Sequence, residues 1–152
     1  MADHLQQQIL DAVHANLLGA ATAAGSNVYL DRVDELTPFY LPAIHIEGAG
    51  EDATPDSLSF PTVYNRLYRF TVACMCGQES NPGKVARNLA KQVEAAILAS
   101  TSTATAGGLA KMLTFTGSTE TKDGNGATSF FEVRQTWQAQ YMTLGGAPDT
   151  PI

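Results

Sequence analysis

Cys74-Met-Cys76 puts two thiols on one face of an extended segment. Cys-x-Cys begins a metal or redox site only when a second pair faces it, and the chain has no further cysteine. With Phe70 and Val72 on the same face, the two thiols are expected to pack as small buried hydrophobes. The three histidines give no stronger signal. His4 and His14 fall roughly 80° apart on a helix, and His45 shares a strand face with Glu47. None stands at the spacing of a metal pair, so all three are expected on the surface. The carboxylate pairs Asp31/Asp34 and Glu51/Asp52 lie in connecting segments, where nothing fixes the separation that acid–base catalysis needs. They are expected to be solvated loop charges. Lys122-Asp-Gly-Asn-Gly126 superficially resembles a calcium loop but lacks the twelfth-position glutamate, and it is a strong hairpin-turn signal instead. No phosphate-binding, dinucleotide-binding or nucleophile-elbow motif occurs. These residues imply no cofactor, no metal and no enzyme.

Composition narrows the field further. Nine Lys+Arg against 15 Asp+Glu give a net charge of −6, which disfavours nucleic-acid binding and adhesion to an anionic membrane. No apolar run nears the roughly 18 residues of a spanning helix, and no signal peptide opens the chain. A cytoplasm is therefore the expected place of assembly. Charged residues make up 16% of the chain, below the roughly 25% of an average domain. A surface so poor in charge suits contact with other subunits.

The elements that position these residues follow from periodicity. Residues 3–24 form an amphipathic helix with Leu5, Ile9, Ala12, Val13 and Leu17 on one stripe, Asp3 as cap and Gly25 as stop. Residues 27–30 and 43–47 are short strands. Residues 48–62 form a long polar loop, and such loops are often functional. Residues 65–76 form a long strand with Tyr68, Phe70, Val72, Cys74 and Cys76 inward. Asn81 caps a second helix with Pro82 at its first position and Val85, Leu89, Val93, Ala96 and Ile97 buried. Residues 100–108 form a loop. Strands at 109–120 and about 128–143 close a hairpin, the second with Phe131, Val133, Trp137 and Tyr141 inward. The expected fold is α/β in the α+β sense: a mixed, mostly antiparallel sheet of about four to five strands with two helices packed on one face. The chain reads as one domain over 1–152, its core spanning about 3–144 and the tail 145–152 loose.

Two surface features stand out. Lys84, Arg87 and Lys91 form a basic row on the exposed face of the second helix. An acidic stretch containing Glu47, Glu51 and Asp52 is a candidate partner for that row on a neighbouring copy. The even face of the last strand, with Glu132, Arg134 and Gln138, is too polar for a core and suits either solvent or a subunit contact.

Across roughly residues 5 to 143 the layout resembles the tail terminator (minor tail, tail-completion) proteins of long-tailed bacteriophages, of the phage lambda minor tail protein U type. The resemblance is carried by the N-terminal helix leading into Val28-Tyr-Leu-Asp-Arg32, then Leu41-Pro-Ala-Ile-His-Ile46 and an acidic loop. It continues through Asn65-Arg66-Leu-Tyr-Arg69-Phe-Thr-Val72, the helix Leu89 to Ile97, and Gly117-Ser-Thr-Glu120. An Asp-Gly turn and Trp137-Gln-Ala-Gln-Tyr-Met-Thr143 complete it. It implies a virion protein at the head-proximal end of the tail, assembled in the host bacterial cytoplasm, without catalysis. Such proteins form a homo-oligomeric ring, typically of six copies. The ring caps the tail tube protein, stops polymerisation and docks the head-completion (neck) protein, and DNA only passes through its lumen. A different neck or baseplate adaptor is the alternative, and a small enzyme a more distant one.

Overall fold

The computed structural model describes residues 2–33, 41–77, 80–123 and 130–152, with backbone alone at Asp123. The elements run α1 (Leu5–Gly19), β1 (Val28–Leu30), β2 (Ala43–Pro55), β3 (Val63–Cys76), α2 (Pro82–Ile97), α3 (Thr101–Ala104), β4 (Met112–Asp123) and β5 (Phe130–Leu144). The five strands form one sheet in the order β1-β2-β3-β5-β4. β1 runs parallel to β2 and every other pairing is antiparallel. This is the expected α+β architecture, with the short α3 as an added element.

Both long helices cover the same sheet face. Leu5, Ile9, Val13 and Leu17 of α1 and Leu89, Val93 and Ile97 of α2 join one cluster with Ile44, Ile46, Phe70, Val72 and Trp137. Alternation along β3 and β5 sends Tyr68, Phe70, Val72, Cys74 and Cys76, and Val133, Trp137, Ala139 and Tyr141, to that side. Cys74 and Cys76 are fully buried, and burial pushes the Cys74 thiol up to about 12. They pack as apolar groups.

Several boundaries differ from the sequence reading. α1 is capped by His4, whose Nδ1 accepts from the Gln6 amide, rather than by Asp3. It ends at Gly19, well short of residue 24. Ala21 takes a left-handed conformation at φ 52°, and Thr22 and Ala24 turn inward, so tertiary contact overrides the helix preference of the alanine run. The expected loop 48–62 is half strand, because β2 continues to Pro55 opposite Tyr64. A bulge between Gly48 and Gly50 interrupts the register, as bulges do when one strand gains a residue. Within 100–108, Ser100 and Thr103 form a reciprocal capping box around α3.

Residues 145–152, expected to be loose, are tied down. The Pro148 carbonyl accepts from the Leu5 amide at 3.0 Å, and the Ile152 amide donates to the Met142 carbonyl at 3.0 Å. Among the described residues the outer strand β4 is a free edge 12 residues long. A bulge between Phe115 and Gly117 and lysines at positions 111 and 122 guard it against stray pairing. The hairpin signal at 122–126 falls mostly on residues 124–129, outside the described residues. The same holds for most of the 37–42 connection and for Asp34.

Candidate functional site

Among the described residues no helix covers the opposite face of the sheet, and its side chains alternate with the core set along the strands. On it stand His45 and Glu47 of β2, Arg69, Thr71 and Ala73 of β3, and Glu132, Arg134, Thr136 and Gln138 of β5. Arg134 is its hub. The guanidinium donates through Nη1 to Glu47 and, at 3.2 Å, to Thr71 Oγ1, and through Nη2 to Glu132 Oε1 at 3.1 Å. Burial works against the Arg134 charge, yet the hydrogen bonds to Glu47 and Glu132 outweigh it and raise the pKa further. The same hydrogen bond, aided by the cationic charge, holds Glu47 below the ordinary carboxylate value. Arg69 donates to Asp52 Oδ2 at 2.6 Å beside this network. Gln138 is half-buried between Arg69 and Thr114 in the register.

The bulge at Gly48/Gly50 decides which acidic side chain goes where. Glu47 and Asp52 pair with Thr71 and Leu67, so both face the open side. Glu51 pairs with Tyr68 and faces the helices. There Arg66 donates to Glu51 Oε2 at 2.9 Å and to Thr143 Oγ1 at 2.8 Å, and the Tyr141 hydroxyl donates to Glu51. The Arg66 and Glu51 side chains are only 15% and 11% exposed. Burial first, then the bond to Glu51, raises the Tyr141 hydroxyl above its ordinary pKa. This is a closed polar cluster at the margin of the core.

The sequence-derived candidates therefore separate into two groups. Glu47, Glu132 and Arg134 are brought together in one network, with Asp52 beside it, and Glu51 sits on the opposite face. None of these carboxylates lies in a loop: each stands on a strand and is paired within the chain, with Asp52 still 71% exposed. Lys84, Arg87 and Lys91 do line the outside of α2. Arg87, however, binds Glu120 in a fork at 2.7 and 3.0 Å and lies 5.3 Å from the Phe131 ring centroid. That hydrogen bond draws the Glu120 carboxyl below its usual range. Within one chain, the central cation of this row and the carboxylates of the acidic stretch are engaged in internal pairs.

The histidines are connectors rather than plain surface groups. His14 Nε2 lies 2.9 Å from the Val28 carbonyl, and His45 Nε2 accepts from the Arg32 amide at 3.1 Å. Among the described residues no three His, Cys, Asp or Glu side chains gather as metal ligands. No helix among them is long and apolar enough to cross a membrane.

Arg66, Arg69 and Tyr141 were missed as partners of the acidic stretch, and Thr143 as the acceptor that steadies Arg66. Two arginines three apart, just after a turn that follows Glu51-Asp52, were the available signal for an antiparallel pairing.

No family model matches the chain, and no curated protein matches it in sequence. Among solved structures the chain is similar to one from a structure titled "Virion of native gene transfer agent (GTA) particle". The two are 15% identical, with a TM-score of 0.50 and 92% of each chain covered. At that identity the likeness establishes a shared fold, extending over nearly the whole of both chains.

Proposed function

We propose that this protein is a structural component of a phage-like virion, and specifically a ring-forming tail terminator. The supporting observation is the fold likeness to a chain of a gene transfer agent virion over 92% of each partner. This is an argument from shared architecture, and it agrees with the element order that resembles the terminator family. In this reading copies of the chain form a closed ring on the end of the tail tube. The ring halts tube growth and offers its far side to a head-completion protein, and DNA traverses a lumen that the net charge of −6 keeps from binding it. Exposed Lys84 and Lys91 are available to an acidic neighbour, while Glu47, Glu51, Asp52, Glu132 and Arg134 brace the sheet.

The experiment is to assemble tail tubes with and without the purified protein and measure tube lengths by electron microscopy. The reading expects a narrow length distribution and capped ends when the protein is present. Tubes of unchanged length, with uncapped ends, would overturn it. Capping only after a second, foreign virion protein is added would favour an adaptor instead.

A further inference from the structure

Leu58 and Phe60 are fully exposed, at 101% and 97%. Both sit at the tip of the β2–β3 hairpin, between Pro55 and Val63. The tip is not slack. The Asp56 amide donates to the Val63 carbonyl at 2.7 Å, and the Thr62 hydroxyl to the Ser59 carbonyl at 3.2 Å. The Gly145 amide grips the Thr62 carbonyl at 2.7 Å. A loop ordered by its own bonds that holds two large apolar side chains in water is pre-organised to insert them elsewhere.

The same chain carries a socket. A groove of about 500 Å³ opens between the C-terminal ends of α1 and α2, walled by Ala20, Ala21, Thr22, Ala95, Ala96 and Ala99. The groove lining contains no charged residue, and the tip contains only Asp56, so closing one on the other strands almost no charge.

A chain cannot fill its own groove with its own tip. The tip is bonded to Gly145, near the Pro148 carbonyl that holds the start of α1, and the groove lies beyond the end of α1. The 15 residues of that helix separate them by roughly 20 Å. Knob and socket at opposite ends of one molecule make a head-to-tail contact, which closes into a ring when the rotation closes.

We infer that Leu58 and Phe60 of one copy seat in the alanine-walled groove of the next, and that this is the junction of the ring proposed above, on which the inference rests. Being nearly uncharged, the junction holds at high salt.

The test uses the full chain and two variants. L58S/F60S removes the knob, and A95W/A99W fills the socket. All four positions are exposed, so both variants should melt like the wild type. Light scattering across concentration and salt follows assembly; if the wild type is monomeric alone, the same variants are read by capping of tail tubes under electron microscopy. Each variant alone should raise the concentration needed for assembly by about 30-fold or more. Mixed together, they should form heterodimers and stop, since one intact knob and one intact socket remain. Rings or caps formed by both variants as by the wild type would overturn the inference and leave the ring reading standing. A tip variant that forms rings but no longer caps tubes would also overturn it, by assigning the knob to the tube. A wild type that neither assembles nor caps would overturn both.

Discussion

The Gln135 amide oxygen accepts the indole N–H of Trp137 at 3.1 Å, while its amide nitrogen donates to the Ala90 carbonyl on α2 at 2.8 Å. Gln135 is 2% exposed and Trp137 fully buried. One polar side chain on the core face thus lets the largest side chain of the protein be buried with its only polar atom satisfied.

Gln135→Leu should therefore destabilise the fold by about 1–3 kcal/mol, because the indole N–H keeps its burial and loses its acceptor. Trp137→Ala should cost roughly 3–5 kcal/mol, since it also removes the edge-on contact with Phe115 at 5.5 Å. Urea titrations of both variants check the order. A Gln135→Leu variant as stable as the wild type would show that the bond adds nothing.

The Arg66–Glu51 pair is nearly buried, so its two halves should not be independent. Arg66→Met alone leaves the Glu51 carboxylate facing only the Tyr141 hydroxyl and should cost about 3–5 kcal/mol. Adding Glu51→Gln removes the stranded charge and keeps an acceptor for Tyr141, so the double variant should recover part of that loss. Additive costs in a double-mutant cycle would mean that the pair is not coupled.

Acid should weaken the fold through the open sheet face. Arg134 holds Glu47 below its ordinary value of 4.5, so the unfolded chain takes up that proton before the folded chain does. The stability contributed is complete above the usual glutamate range and is lost as the pH falls through the lowered value. Glu120, held down by Arg87, acts in the same direction. Denaturation midpoints followed between about pH 7 and pH 3 should fall less steeply in Glu47→Gln than in the wild type. Parallel curves would remove Glu47 from the acid response.

Deleting residues 147–152 should lower stability by about 2–4 kcal/mol, given four ordinary hydrogen bonds lost at Leu5, Gln8, Met142 and Leu144. The first turn of α1 should fray with them. Hydrogen exchange at the Leu5 amide is the direct readout, and unchanged protection there would show that the tail merely lies alongside.

α2, β3 and β5 were legible because each buries one regular face. Asn81 and Pro82 marked the start of α2, and the alternation of Phe70 to Cys76 and of Val133 to Tyr141 marked the strands. The second half of β2 was not legible. Gly48 to Pro55 carries no alternating apolar set, and its pairing rests on backbone bonds and on arginines more than ten residues away. The end of α1 and the docking of the tail were hidden for a related reason. In both, backbone hydrogen bonds and contacts distant in sequence decide the outcome, and residue type does not signal them. Among the candidate site residues, exposure of the α2 row was readable from helical spacing. The internal partners of Arg87, Arg134 and Glu51 depend on register, and in β2 the register turns on one bulge.

The outer half of β2 is pinned to β3 on both sides of the sheet, by Glu51–Arg66 beneath and Asp52–Arg69 above. Bending the strand in either direction stretches one of the two ties. The extension that carries Leu58 and Phe60 is thus built as a stiff beam rather than a hinge. A load applied at its tip would pass into the body of the sheet instead of being absorbed by flexing at its root.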